Sequence, residues 1–177
     1  MTEPSETVLT DAIVTATRHA VSDLFESHPG SYYYCALITS REAPPPFLSA
    51  WSREALAVAS ADTDHSEDLK WSYADSPFVD YGAQYFRKVR DLFALRPEMD
   101  YFAPPELWEK EYDLRLRCME NALRQLDSEG LFGVGEARHK IVVNAEVVPP
   151  DHTNTERAIR LNPPEALTEW LEEAAES

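Results

Sequence analysis

Between residues 5 and 27 the apolar side chains Leu9, Ala12, Ile13, Ala16, Ala20 and Leu24 recur at three- and four-residue intervals. That period places them on one face and predicts a helix, which the His28-Pro29-Gly30 breaker ends. The run Tyr32 to Thr39 is aromatic and aliphatic and too short for a typical helix. A polar, proline-rich connection leads from it to Phe47-Leu48-Ser49-Ala50-Trp51, so the pair reads as two antiparallel strands. Ser52 then stands where an N-cap belongs, with Glu54 in the first turn and Ala55 to Ala59 forming a short helix.

From Ala61 to Asp68 the chain is polar, acidic and without period, which predicts a loop leading into the aromatic stretch Leu69 to Pro77. Tyr85, Phe86, Val89, Leu92 and Phe93 predict a helix from near Tyr81 to Leu95, stopped by Pro97. After Pro104-Pro105, a stripe of Trp108, Tyr112, Leu116, Met119, Ala122, Leu123 and Leu126 predicts a long helix to about Ser128, with Gly130 beyond it. The β-branched run Arg138 to Val148 reads as a strand ended by Pro149-Pro150. Thr155 to Leu161 and Pro164 to Ala175 read as two further helices. This order predicts an α+β fold in which a small, mainly antiparallel sheet is covered by helices. One domain over residues 1–177 is expected, fraying at 1–5 and 174–177.

Charge changes the picture most. The chain carries 32 acidic against 16 basic residues, a formal net charge of −16. Nucleic acid and anionic membrane are poor partners for it, because phosphate attracts Lys and Arg and no local basic stripe offsets the excess. Solubility alone explains such acidity, and steering of a cationic partner is the sharper reading. The first residues have neither a basic nor an apolar leader region, and no run of about 18 apolar residues occurs. With only Cys35 and Cys118, each in an apolar context, a reducing cytoplasmic setting is expected.

The templates of catalysis fail one by one. Asp62, Asp64, Ser66 and Asp68 alternate as early calcium ligands do, but Glu67 stands where the loop needs glycine and Tyr73 where it needs glutamate. His65, His139 and His152 are scattered, without the spacing of a zinc motif. Gly133 and Gly135 precede a strand rather than follow one, the wrong order for a dinucleotide turn. No nucleophile elbow exposes a serine, and both cysteines read as small core residues. No catalytic residue, metal or cofactor is therefore expected.

What remains is an aromatic and acidic cluster, Trp51, Trp71, Tyr73 and Asp75, taken as the candidate binding residues. Aromatics anchor interfaces and acids orient a basic partner, while the same residues also serve simply to cover a core. Tyr33 to Thr39, Leu48 to Leu56, Leu69 to Pro77 and the Leu161-Asn162-Pro163 tail together resemble a bacterial domain-of-unknown-function family of the DUF4303 type. That resemblance implies no reaction and no catalytic residue. The order of elements resembles, more weakly, the SUKH superfamily, whose bacterial members include immunity proteins against polymorphic toxins; this is analogy at the level of fold. Two functions follow as expectations. The first is a non-enzymatic, immunity- or antitoxin-like protein whose acidic face covers a basic protein. The second is an enzyme or small-ligand protein with a pocket near Trp71 to Asp75.

Overall fold

A computed structural model describes residues 3–61, 66–100 and 102–176. Ser5 starts the first helix by accepting the Val8 amide on its Oγ at 3.3 Å, and Glu6 adds a carboxylate at the positive helix end. Helix α1 then runs Glu6–Ser27 and buries Leu9, Ile13, Ala16, Ala20 and Leu24 along one face. Strand β1 (Tyr32–Ser40) is buried along almost its whole length, and β2 (Phe47–Ser52) pairs with it antiparallel. The Ser52 Oγ accepts the Ala55 amide at 3.1 Å, which converts the end of β2 directly into α2 (Arg53–Ser60).

The expected loop after Ala61 is interrupted by one helical turn, α3 (Ser66–Leu69); Asp62 and Asp64 of the rejected calcium pattern lie outside the described residues. The helix expected from Tyr81 to Leu95 is divided into a 3-10 turn, Ala83–Phe86, and α4 (Arg87–Phe93). The cause is the backbone before it: Asp80 and Gly82 both have positive φ, 54° and 70°. Gly82 is required there, because a Cβ would lie 2.7 Å from the Ala20 Cβ of α1. Helix α5 (Pro105–Ser128) follows as the periodicity predicts and packs along α1.

The expected strand from Arg138 starts later. Residues Gly135–Lys140 form a 3-10 turn, and β3 is Val142–Val148. Arg138 explains the delay: its guanidinium is buried, donating to the Ile141 carbonyl at 2.7 Å, to the Leu161 carbonyl at 3.0 Å and to Asp127. A strand there would alternate its side chain away from those partners. Helices α6 (His152–Leu161), capped by Asp151, and α7 (Pro164–Glu173) complete the chain.

β3 pairs with β1 in parallel, so the sheet has the order β2-β1-β3 and is mixed; the antiparallel expectation describes the β1–β2 pair. The short 41–46 connection can only return antiparallel, whereas the helical chain between β2 and β3 is long enough to bring β3 back to the starting end. One face of the sheet, through Cys35, Leu37, Leu48, Ala50, Val143, Ala145 and Val147, meets α1 and α5 in the main core. The other face holds Tyr34, Ala36, Ile38 and Trp51. A register shift between Tyr32 and Tyr34 brings Tyr33 to this face as well.

Both sheet edges are sealed by side chains. Along β3, Asn162 accepts the Val143 amide at 2.8 Å and donates to its carbonyl at 2.6 Å. Asn154 does the same for Val147, at 2.8 and 2.9 Å, and between them Arg157 donates to the Ala145 carbonyl at 2.6 Å. Helix α6 and the Asn162 that follows it thus replace a fourth strand. Along β2, the Ser76 hydroxyl and the Tyr81 amide close the carbonyls of Ala50 and Leu48. An open three-stranded sheet would otherwise offer two rows of backbone groups to other chains. Among the described residues no helix is long and apolar enough to cross a membrane.

Candidate functional site

The segment after α3 is a strap laid across the second face of the sheet. Four of its polar groups are held from below: the Tyr33 hydroxyl donates to the Lys70 carbonyl at 2.5 Å, the Trp51 indole to the Ser72 carbonyl at 2.7 Å, and the Ser49 hydroxyl to the Tyr73 carbonyl at 2.8 Å, while Ser76 reaches back to Ala50. Tyr33, Ser49 and Trp51 each spend a side-chain donor on the strap, so the strap is positioned by residues of the strands beneath it.

The sequence-predicted binding residues separate under this geometry. Trp51 is fully buried, packed with Tyr33, Tyr34, Ala36 and Ile38, and its indole supports the strap from beneath. Trp71 is partly exposed; its indole donates to the Glu173 carboxylate at 2.8 Å, and the ring of Tyr33 meets it edge-on at 5.2 Å. Tyr73 packs beside Phe47 at 6.1 Å. Asp75 is exposed and turns inward along its own segment to accept the Ser72 hydroxyl at 2.5 Å. Only Trp71 and Tyr73 come together at one cavity.

That cavity, about 240 Å³, lies between the strap, β3 and α7, and is lined by Trp71, Tyr73, Glu146, Asn154, Trp170 and Glu176 among others. Glu146 projects from β3 on the same face as Asn144, and only part of its surface is reached by solvent. Its carboxyl accepts the Tyr34 hydroxyl at 2.9 Å and, more weakly, the Asn144 amide at 3.4 Å. Among the described residues no Lys, Arg or His forms an ion pair with it: Arg157, nearest in charge, gives its hydrogen bonds to Ala145, Thr153 and Asn154. Burial accordingly pushes the Glu146 carboxyl up to about 7, against the opposing pull of Tyr34, Asn144 and Arg157. Glu146, Asn154 and Trp170 were missed from sequence. A period-two reading of residues 142–148 carries the signal for the first, since Val143, Ala145 and Val147 are apolar while Asn144 and Glu146 break the opposite face.

A larger groove of about 990 Å³ opens on the other side of Trp71, bordered by Arg53, His139, Lys140, Glu165 and Glu169. Much of its charge is already matched. Arg53 sits over the Tyr33 ring at 4.6 Å and pairs with Glu169 at 3.3 Å, while Lys70 clasps Glu169 and Glu173. Size favours this groove, but the desolvated carboxyl lies in the smaller cavity, and chemistry follows the perturbed group rather than the volume.

Other reactive groups are held inert. The Cys35 thiol, buried in β1, is pushed up to about 12, and burial also raises that of Cys118. Neither supplies a thiolate at neutral pH. Glu111 is buried between Arg96 and Arg115; burial would raise its carboxyl, but the two guanidinium groups outweigh that and hold it below the usual carboxylate range. Arg115 spends its remaining donors on the Ala43 and Pro97 carbonyls, at 3.0 and 2.7 Å, so this cluster joins loops to α5. Among the described residues no group of three His, Cys, Asp or Glu side chains is placed to hold a metal ion.

No curated protein and no solved structure matches the chain, and the SUKH resemblance is not shown. The family model described as a domain of unknown function, DUF4303, matches residues 13–163, which run from within α1 through α6 to the residue before α7 and include the strap and Glu146. This chain belongs to the DUF4303 family.

Proposed function

We propose that this chain is a non-enzymatic binding protein for a positively charged protein partner, of the immunity or antitoxin kind, with its contact surface on the strap and α7. One observation carries the reading. Helix α7 and the residue stretch after it expose Glu165, Glu169, Glu172, Glu173 and Glu176 with no Lys or Arg among them, directly beside the partly exposed Trp71. Arg53 and Lys70 are already paired with this row, and Lys140 borders the groove that Glu165, Glu169 and Glu172 line. A surface of one sign with an aromatic at its edge steers and then anchors an oppositely charged protein. A second reading, a small-ligand pocket at the Trp71 to Asp75 segment, is favoured by the cavity that Trp71 and Tyr73 line.

The test is reconstitution with a purified partner identified by affinity capture at low salt. A basic partner is expected, with an association rate that falls at least tenfold between about 0.1 and 1 M salt, as the Debye length shrinks from roughly 10 to 3 Å. The pair Glu165→Lys and Glu172→Lys, both outside the ion pairs of α7, should give a similar loss at low salt. A partner of acidic or neutral surface, or one whose association ignores both salt and charge reversal, would defeat the reading.

A further inference from the structure

We propose that the cavity between the strap, β3 and α7 is a binding site for an organic ammonium group, held by the Glu146 carboxylate and packed by Trp71, Tyr73 and Trp170. The inference deepens the reading of a cationic partner and rests on it for one question only, whether the ammonium belongs to a lysine side chain or to a free amine.

The charge of the lining favours a cation. Among the described residues its ionisable carboxylates are Glu146 and Glu176, and no Lys, Arg or His lines it. An anion would meet a carboxylate without compensation, and a purely apolar guest would leave that carboxylate desolvated and unpaired. The hydrogen-bond inventory points the same way. A carboxylate has about four lone-pair sites. Glu146 gives one to the Tyr34 hydroxyl and one, at long range, to Asn144, which leaves acceptor capacity and no donor. Trp71, Trp170 and Tyr73 add indole and phenol to a wall that also holds Val148, Pro150 and Asn154, and these rings suit both the methylene stem of an amine and its charge. Trp71 already has one cation at its ring, the Lys70 ammonium 5.3 Å from the centroid on the α7 side. At about 240 Å³ the space admits a short aliphatic amine and is below the roughly 300–1,000 Å³ of sites for larger ligands.

The groups facing Glu146 are Tyr34 from β1, Asn144 from β3 and Arg157 from α6; Arg157 alone is charged and lowers the Glu146 carboxyl through space, but it gives its hydrogen bonds to Ala145, Thr153 and Asn154, so among the described residues Glu146 has no directly paired counter-ion. A bound ammonium would supply one and stabilise the ionised form, so binding releases a proton. The amine itself stays charged across the neutral range, and the pH dependence therefore belongs to the protein.

n-Butylammonium and N-acetyl-lysine amide, titrated against the whole protein while the indole N–H signals of Trp71 and Trp170 are followed by NMR, test the proposal. Both signals should shift saturably, with affinity about a hundredfold weaker at pH 5 than at pH 8 for a site whose carboxyl titrates near 7. Glu146→Gln, which keeps shape and the Tyr34 contact, should lower affinity at least tenfold and flatten the pH profile; Trp71→Leu should weaken binding but keep the profile. Shifts with both probes assign the site to a lysine side chain, and shifts with butylammonium alone assign it to a free amine. If neither probe moves the indoles, or if affinity is indifferent to pH and to Glu146→Gln, the site is not an ammonium site. That failure leaves the salt-dependent association through α7 untouched, so the two readings fall separately.

Discussion

Glu146 is a carboxyl that burial lifts toward neutrality. Its folded-state carboxyl titrates at about 7 instead of 4.5, so the native protein binds that proton more tightly than the unfolded chain. The resulting stability is fully present below about 4.5 and is lost as pH rises through about 7, a change of about 3 kcal/mol. Glu146→Gln should therefore equal the parent at pH 4 and exceed it by up to about 3 kcal/mol at pH 8, read from urea unfolding at each pH. A difference that does not vary with pH would mean that the carboxyl is well solvated. Glu111 carries the opposite sign. Two buried guanidinium groups depress it, so its contribution is present above the ordinary carboxylate range and fades as pH falls. One acid is a structural clasp and the other an uncompensated charge beside a cavity, although the two look alike in the sequence.

Among elements, β3 shows how few residues decide whether a strand can be an edge. Asn154 and Arg157 lie one turn apart on α6 and Asn162 follows its end, and the strand groups they close, on Val147, Ala145 and Val143, recur at a spacing of two. Replacing Asn162 by Ala removes both partners of Val143 and one acceptor of Arg138. The expected cost is about 2–4 kcal/mol, from buried groups left unsatisfied at roughly 1–3 kcal/mol each. Hydrogen exchange localises the effect: the Val143 amide should exchange faster while Val147, held by Asn154, stays protected, and equal protection at Val143 would refute the sealing role. The helices themselves were largely legible. Ser5 and Ser52 cap α1 and α2 as their side-chain chemistry predicts, and the stripe from Trp108 to Leu126 is α5. The errors fall where one long-range contact overrides a local pattern, at Arg138 for the start of β3 and at Gly82 against Ala20 for α4.

At the scale of the whole molecule, a net charge of −16 on 177 residues makes self-repulsion a standing cost of compaction. Exposed ion pairs such as Arg18–Glu129 and Arg117–Glu6 return little, because solvent screens them. The melting temperature should therefore rise between about 0.02 and 0.5 M sodium chloride, as screening removes more repulsion than attraction. A constant or falling value in differential scanning calorimetry would show that the ion pairs dominate. The same excess of carboxylates gives α7 its uniform sign, so stability at low salt and attraction for a cationic partner draw on one set of charges in opposite directions.

Periodicity, capping residues and charge balance determined from the sequence alone most of the helices and strands and the strong acidity of the chain. These are local or additive properties, and each can be read without knowing what lies opposite. Whether a tryptophan faces core or solvent, and whether a carboxylate is paired, depends on residues far apart in the chain. Only the tertiary structure buried Trp51 beneath Ser72, set Glu146 against Tyr34 from another strand, and placed Trp170 on the same cavity as Tyr73. Desolvation and hydrogen-bond completion are properties of what packs together, and packing is decided by the fold.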